Sequence, residues 1–217
     1  MHKRKKVVKM VIGIVLGAAV LGAVLWGPVV SNSVEQAKYT VLEQVGNMEL
    51  REYAPHLAAE VEVAGERKEA ISQGFRLIAD YIFGNNIAAE SIAMTTPVTQ
   101  QPVSAPIAMT SPVLQQEAGN GLWHVRFIMP SQYSMQSIPQ PKNTAVKLVE
   151  VPAKRVAALR FSGRPSEADL AEKNTLLQGF ITQKGLVSAA PATYAFYNPP
   201  WTLPFLRRNE VLMEVQP

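Results

Sequence analysis

The chain has 217 residues, 47% of them hydrophobic, enough for one domain of ordinary size with a real core. It has no cysteine, which excludes a disulfide framework, a thiolate metal site and a cysteine nucleophile. Its pI near 9.3 comes from Lys3, Arg4, Lys5, Lys6 and Lys9; without these five the 21 Lys and Arg fall to 16 against 17 Asp and Glu, so the body is nearly neutral and offers nucleic acid no basic stripe.

Residues 1–9 read as a basic cytoplasmic tail. The uncharged stretch 10–33, apolar from Met10 to Val30, reads as a transmembrane signal anchor, because about 20 apolar residues in a helix span a ~30 Å hydrocarbon layer. A cleavable signal peptide, cut after Ser33, is the competing reading. Length favours the anchor, since the apolar run exceeds the ~7–15 residues of a signal h-region and closes on Trp26, Gly27 and Pro28. In either case the basic tail stays cytoplasmic and residues 34–217 lie across the membrane, periplasmic or extracellular.

From Tyr39 onward period-two patterns predict half-buried antiparallel strands. Tyr39, Val41 and Val45 share one side of the first, and Leu57, Ala59, Val61 and Val63 face away from Glu60 and Glu62 in the next. Trp123, Val125, Phe127 and Met129 mark another, and Val211, Met213 and Val215 the last. Two segments have a helical period. Ile71, Phe75, Ile78 and Ile82 form one stripe, widened by Ala70, Gly74, Leu77 and Tyr81. Leu170, Leu177 and Ile181 form the other, with Leu176 and Phe180 beside them, a Ser166/Asp169 capping box in front and Gly185 as a stop.

A ten-residue phrase occurs twice, as Ile92–Gln101 and Ile107–Gln116, identical at eight positions, and reads as two similar strands capped or bulged by Pro97 and Pro112. Pro130 to Pro141 and Tyr197 to Phe205 are Pro-rich loops. A strand, a glycine turn and an amphipathic helix recur about 100 residues apart, at Leu57–Gly65 and again at Val156–Gly163. The fold class is therefore α+β, a duplicated β-α unit whose antiparallel sheet curls into a barrel or saddle and buries the stripes of both helices.

With these elements placed, residues 39 to 216 resemble the SOUL haem-binding protein family. The carrying residues are Tyr39–Glu43, Glu49–Tyr53 with Pro55, the helix from Glu69 and Ala70 through Phe75 to Asn85, Ile92–Val98, Phe161–Gly163, Tyr197–Pro200 and Arg208–Val211. The resemblance implies a distorted antiparallel β-barrel flanked by two helices and a non-covalent site for haem or a related tetrapyrrole, with no reaction common to the family. Where some members have a histidine before the tyrosine of Glu-Leu-Arg-Glu-Tyr, this chain has Glu52, and His56 is the nearest substitute as axial and metal ligand. The basic positions of the first helix in animal members align with Ser72 and Asp80; Arg67, Lys68 and Arg76 are the nearby propionate partners. Phe75 would line the groove, and Met94 and Met109 would supply soft lining or thioether ligands, although methionines more often fill a core.

Reversible tetrapyrrole binding between the first helix, the sheet and the Pro-rich loops is the leading expectation. The alternative is a non-catalytic binding or scaffold module for another apolar small molecule or a protein partner. No nucleophile elbow, zinc-protease pair, phosphate loop or dinucleotide fingerprint is present, so no enzymatic activity is expected.

Overall fold

The alternation read from the sequence builds a ten-stranded antiparallel sheet in a computed structural model that describes residues 34–88 and 104–216. The elements in chain order are β1 (Tyr39–Val45), β2 (Met48–Tyr53), β3 (His56–Ala64), α1 (Arg67–Ile82), β4 (Asn86–Ile87), β5 (Val113–Gly119), β6 (Leu122–Ile128), β7 (Gln140–Pro141), β8 (Lys147–Val151), β9 (Lys154–Phe161), α2 (Glu167–Gln183), β10 (Val187–Ser188), β11 (Thr193–Phe196) and β12 (Asn209–Gln216). Across the sheet the order is β1-β2-β9-β12-β11-β5-β6-β3-β8, with β10 added to β12, while β4 and β7 pair separately.

This order contains the predicted duplication. Strands β3, β5, β6 and β8 carry α1 on one face, strands β2, β9, β11 and β12 carry α2, and the halves join where Val113–Gln116 of β5 pairs with Thr193–Phe196 of β11. The helices themselves correspond at an offset of 100. Arg67, which opens α1, forms an ion pair at 2.7 Å with Glu167, which opens α2.

Each helix buries its stripe. Under α1, Ile78, Tyr81 and Ile82 pack with Val61, Val63, Val125 and Phe127; under α2, Leu177, Phe180 and Ile181 pack with Leu159, Val211, Met213 and Val215. The stripe of α1 is centred differently from expectation. Gly74 lies at the closest approach, where a Cβ would stand 2.6 Å from Val125 Cγ2 and 3.1 Å from Val61 Cγ2, so Phe75 is turned to the margin, 39% exposed with its ring 5.4 Å from Phe127. Leu176 of α2 is likewise exposed. The Ser166/Asp169 capping box is present, and Gly185 takes a positive φ of 67° after the helix.

Three expectations need correction. The barrel does not close: the sheet is a curled half-barrel with β1 and β8 as free edges. The first strand is an edge with a bulge between Val41 and Glu43, which breaks its alternation and leaves Val41 and Val45 exposed. In the second copy of the repeated phrase the strand starts only at Val113, after a cis Ser111–Pro112 bond. Before it, the Ile107 N–H donates to the Ile82 carbonyl, the Thr110 hydroxyl to that of Ile128, and the Ser111 N–H to that of Glu35, so the segment is tied down without a partner strand. The first copy, Ile92–Gln101, and the segment 10–33 lie outside the described residues. Among the described residues no helix is long and apolar enough to cross a membrane.

Candidate functional site

The sheet face away from the helices carries a third apolar cluster, built from side chains out of phase with the helix-covered stripes. Tyr53 of β2, Val156 and Ala158 of β9, Leu212 of β12, Ala195 of β11 and Ile128 of β6 meet Ala37 and Tyr197 there. The curl of the sheet closes this face into a small cavity of about 50 Å³, lined by Tyr39, Tyr53, His56, Leu114, Arg126, Lys154 and Leu212 among others. Next to it opens a cleft of about 760 Å³ between the 35–38 segment, the start of β3 and the loops after β6 and β8; Lys38, His56, Leu57, Met129, Tyr133 and Glu150 face it. His56, Gln36, Ala37, Ile128 and Val151 line both spaces.

Beside the cavity lies a sealed ion-pair network. The Arg51 guanidinium donates to both carboxylate oxygens of Glu210, at 2.7 and 3.0 Å, and to Glu49 at 2.6 Å; Tyr197 Oη donates to Glu210 at 2.7 Å, and Arg208 lies 2.8 Å from the same carboxylate. Arg51 and Glu210 are each 1% exposed. Burial alone would raise the pKa of Glu210, but the hydrogen bonds and charge of Arg51, with Arg208 and Tyr197, outweigh it and hold the carboxyl below its ordinary value. Burial pushes Tyr53 up to about 12 and Tyr197 well above its ordinary range, so both stay neutral phenols.

His56 has the features of a neutral nitrogen ligand. Its Nδ1 lies 3.0 Å from the Ala54 carbonyl, which can only accept, so Nδ1 carries the proton and Nε2 keeps its lone pair. Burial, assisted by Lys154 and Arg126, holds its pKa below the ordinary 6.5 despite that hydrogen bond, so the ring is neutral at pH 7.

The other predicted positions lie elsewhere. Lys68, Phe75 and Arg76 are on the exposed side of α1, on the opposite face of the sheet from the cavity; Arg76 donates to Ser72 Oγ at 3.3 Å. Arg67 is committed to Glu167 and to Gln115 Oε1 at 2.9 Å. Met109 is 45% exposed ahead of β5, and Met94 lies outside the described residues. His124 sits between Glu60 and Glu62 at 3.5 and 3.1 Å. The structure thus separates His56 from the helix residues grouped with it. Sequence reading missed Tyr39, Tyr53, Tyr197, Lys38 and Tyr133; the signal for Arg51 and Tyr53 was the period-two phase of β2 opposite Leu50, which packs under α2.

A curled antiparallel half-barrel of two β-α repeats, with an apolar recess on its free face, defines the class of α+β domain. The SOUL heme-binding protein family matches residues 34–214, and the chain belongs to that family. No curated protein matches it in sequence. Among solved structures it is similar to the EcmrR C-terminal domain (TM-score 0.55, 10% identity, 82% of this chain and 98% of that one). It is also similar to an uncharacterized conserved protein from Listeria innocua (TM-score 0.53, 12% identity, 78% and 92%). A third likeness is to a structure described as a hydrolase from the same organism (TM-score 0.50, 12% identity, 81% and 94%). At these identities the likeness is one of fold.

The family binds haem, and the residues present fit that group. A cleft of about 760 Å³ falls within the ~300–1,000 Å³ usual for small-molecule sites, whereas the 50 Å³ cavity beside it has room for little more than a water or two. The cleft combines apolar walls from Leu57, Met129 and Val151 with the cation of Lys38 and a neutral imidazole.

Proposed function

We propose that this protein binds haem or a related tetrapyrrole reversibly and without catalysis, in the cleft bordered by His56 and the 35–38 segment. The observation that carries the reading is His56 itself, a neutral imidazole with Nδ1 on a backbone carbonyl, at the edge of the cleft of about 760 Å³. Leu57, Met129 and Tyr133 would cover the macrocycle, and Lys38 would meet a propionate. A bound haem would supply the iron to which Nε2 coordinates. The rival reading puts the ligand on the other face of the sheet, against the α1 residues Arg67, Lys68, Phe75 and Arg76. We further propose that residues 10–33 anchor the chain as a single span, with residues 1–9 cytoplasmic and the domain periplasmic or extracellular.

Titration of the full-length chain with hemin tests the site. The expected result is a saturable Soret band near one equivalent that weakens and shifts in His56→Ala but not in Phe75→Asp. A band lost in folded Phe75→Asp and kept in His56→Ala would move the site to α1. A band that never saturates would overturn tetrapyrrole binding in favour of another apolar ligand or a protein partner.

A further inference from the structure

The loop between β11 and β12 holds the two most exposed large apolar side chains of the described residues, Trp201 at 79% and Phe205 at 69%, with Leu203 between them at 37%. This exposure belongs to an ordered loop. Pro199, Pro200 and Pro204 restrict its backbone, the Thr202 N–H donates to the Pro199 carbonyl at 3.1 Å, and Pro204–Leu206 forms a 3₁₀ turn. Arg207 donates from Nε to the Thr202 carbonyl at 2.9 Å and from its other end to that of Pro200, and the Arg208 N–H donates to Asn198 Oδ1 at 2.6 Å. The Gly163 N–H ties the neighbouring loop to the Pro204 carbonyl at 2.9 Å. A finger held this firmly presents Trp, Leu and Phe to solvent, where their apolar area is unfavourable unless something covers it.

Two further observations indicate what covers it. Arg164 and Arg207 flank the finger, feel each other's like charge, and pair with no carboxylate among the described residues. The described chain also begins at this end. Gln36 Oε1 accepts from Arg208 Nη1 at 3.2 Å at the base of the finger, and Glu35 accepts from the Ser111 and Ser131 N–H groups at the same end of the sheet, so the first described residues, from Val34, lie at the finger's end of the domain. In sequence, the uncharged stretch 10–33 immediately precedes them.

We infer that the Trp201–Phe205 finger is a membrane-contact element. Its Trp, Leu and Phe enter the interfacial layer of the bilayer from which the chain emerges, and Arg164 and Arg207 meet anionic lipid headgroups. The inference rests on the membrane-anchor reading above. It also fixes an orientation. Val113 of β5 pairs with Phe196 just before the finger, so Asn120, past the far end of β5, stands about 20 Å further along the strands and away from the membrane.

The absence of cysteine makes this testable by single-site labelling of the full chain. Phe205→Cys, Trp201→Cys and Asn120→Cys variants, each carrying an environment-sensitive fluorophore, are reconstituted into phosphatidylcholine–phosphatidylglycerol vesicles with and without doxyl-labelled lipid. Folding is checked by circular dichroism. The expected result is a blue-shifted, doxyl-quenched probe at 205 and at 201, an unquenched probe at 120, and weaker quenching at 205 when Arg164→Glu is added. A chain that floats with the vesicles yet shows 205 and 201 as unquenched as 120 overturns the finger and leaves the anchor standing. A 205 probe that responds only to protein concentration, the mark of self-association, likewise overturns the finger alone. A chain that does not float overturns anchor and finger together.

Discussion

The two halves repeat one pattern but treat the same face of the sheet differently. In the half under α1, the free face carries Glu60 paired with Arg126 and Glu62 with His124, all partly open to solvent. In the half under α2, the corresponding face carries Arg51 and Glu210, sealed beneath Tyr53 and Tyr197. A repeat therefore conserves what the helices need, the apolar stripes, and leaves the other face free to become either a wet surface or a buried network beside a cavity.

Breaking the network gives the largest expected effect. Glu210→Gln should cost about 3–5 kcal/mol, because buried Arg51 and Arg208 lose their shared buried carboxylate and Arg51 keeps only Glu49, whereas Glu60→Gln should cost about 1 kcal/mol or less. Urea unfolding of both variants measures the contrast. The acid limb follows the same logic: the carboxyl of Glu210 is depressed in the fold, so its contribution is full above its ordinary pKa of 4.5 and is lost as pH falls through the lower folded value.

The helices differ next. Gly74→Ala should destabilise by about 1–3 kcal/mol net of helix propensity, because the new methyl meets the stiff Cβ of Val125 at 2.7 Å. At the matching position of α2, Asn174→Ala should be neutral or stabilising, since the buried Asn174 Oδ1 has no partner. Thermal melts distinguish the signs. At the N-caps the contrast reverses: Ser166→Ala should cost about 1 kcal/mol through loss of its capping box, and Glu66→Ala almost nothing, because Glu66 makes no side-chain cap bond.

The smallest effect belongs to His56. Its folded pKa lies below the unfolded 6.5, so the fold disfavours its protonated form. Its contribution is full above about pH 6.5 and declines as pH falls from there toward the folded value. A pH series of unfolding midpoints should show this decline in the wild type and a flatter profile in His56→Ala.

These contrasts also show what was legible in the chain. The helices, their stripes and the duplication could be read because period and spacing are local, and Ser166 with Asp169 announces its own cap. The network could not: Arg51 and Glu210 are 159 residues apart, and charges alternating on strands look like a solvated face until a curled sheet buries them. In the second copy of the repeated phrase, the part before Val113 misled for a physical reason. β-branched residues before Val113 suit an extended chain, but that chain spends its hydrogen bonds on Ile82, Ile128 and Glu35 instead of on a neighbouring strand. The cleft was illegible because segment 35–38, which walls it, carries no motif.

In the sheet the two halves are joined by only four residue pairs, Val113–Gln116 against Thr193–Phe196, at β11, a strand of four residues between broader neighbours. Two stiff leaves on so narrow a spine behave like the covers of a book. The small cavity is lined from both covers, so its width follows the angle of the spine, and a change in β11 is expected to alter it.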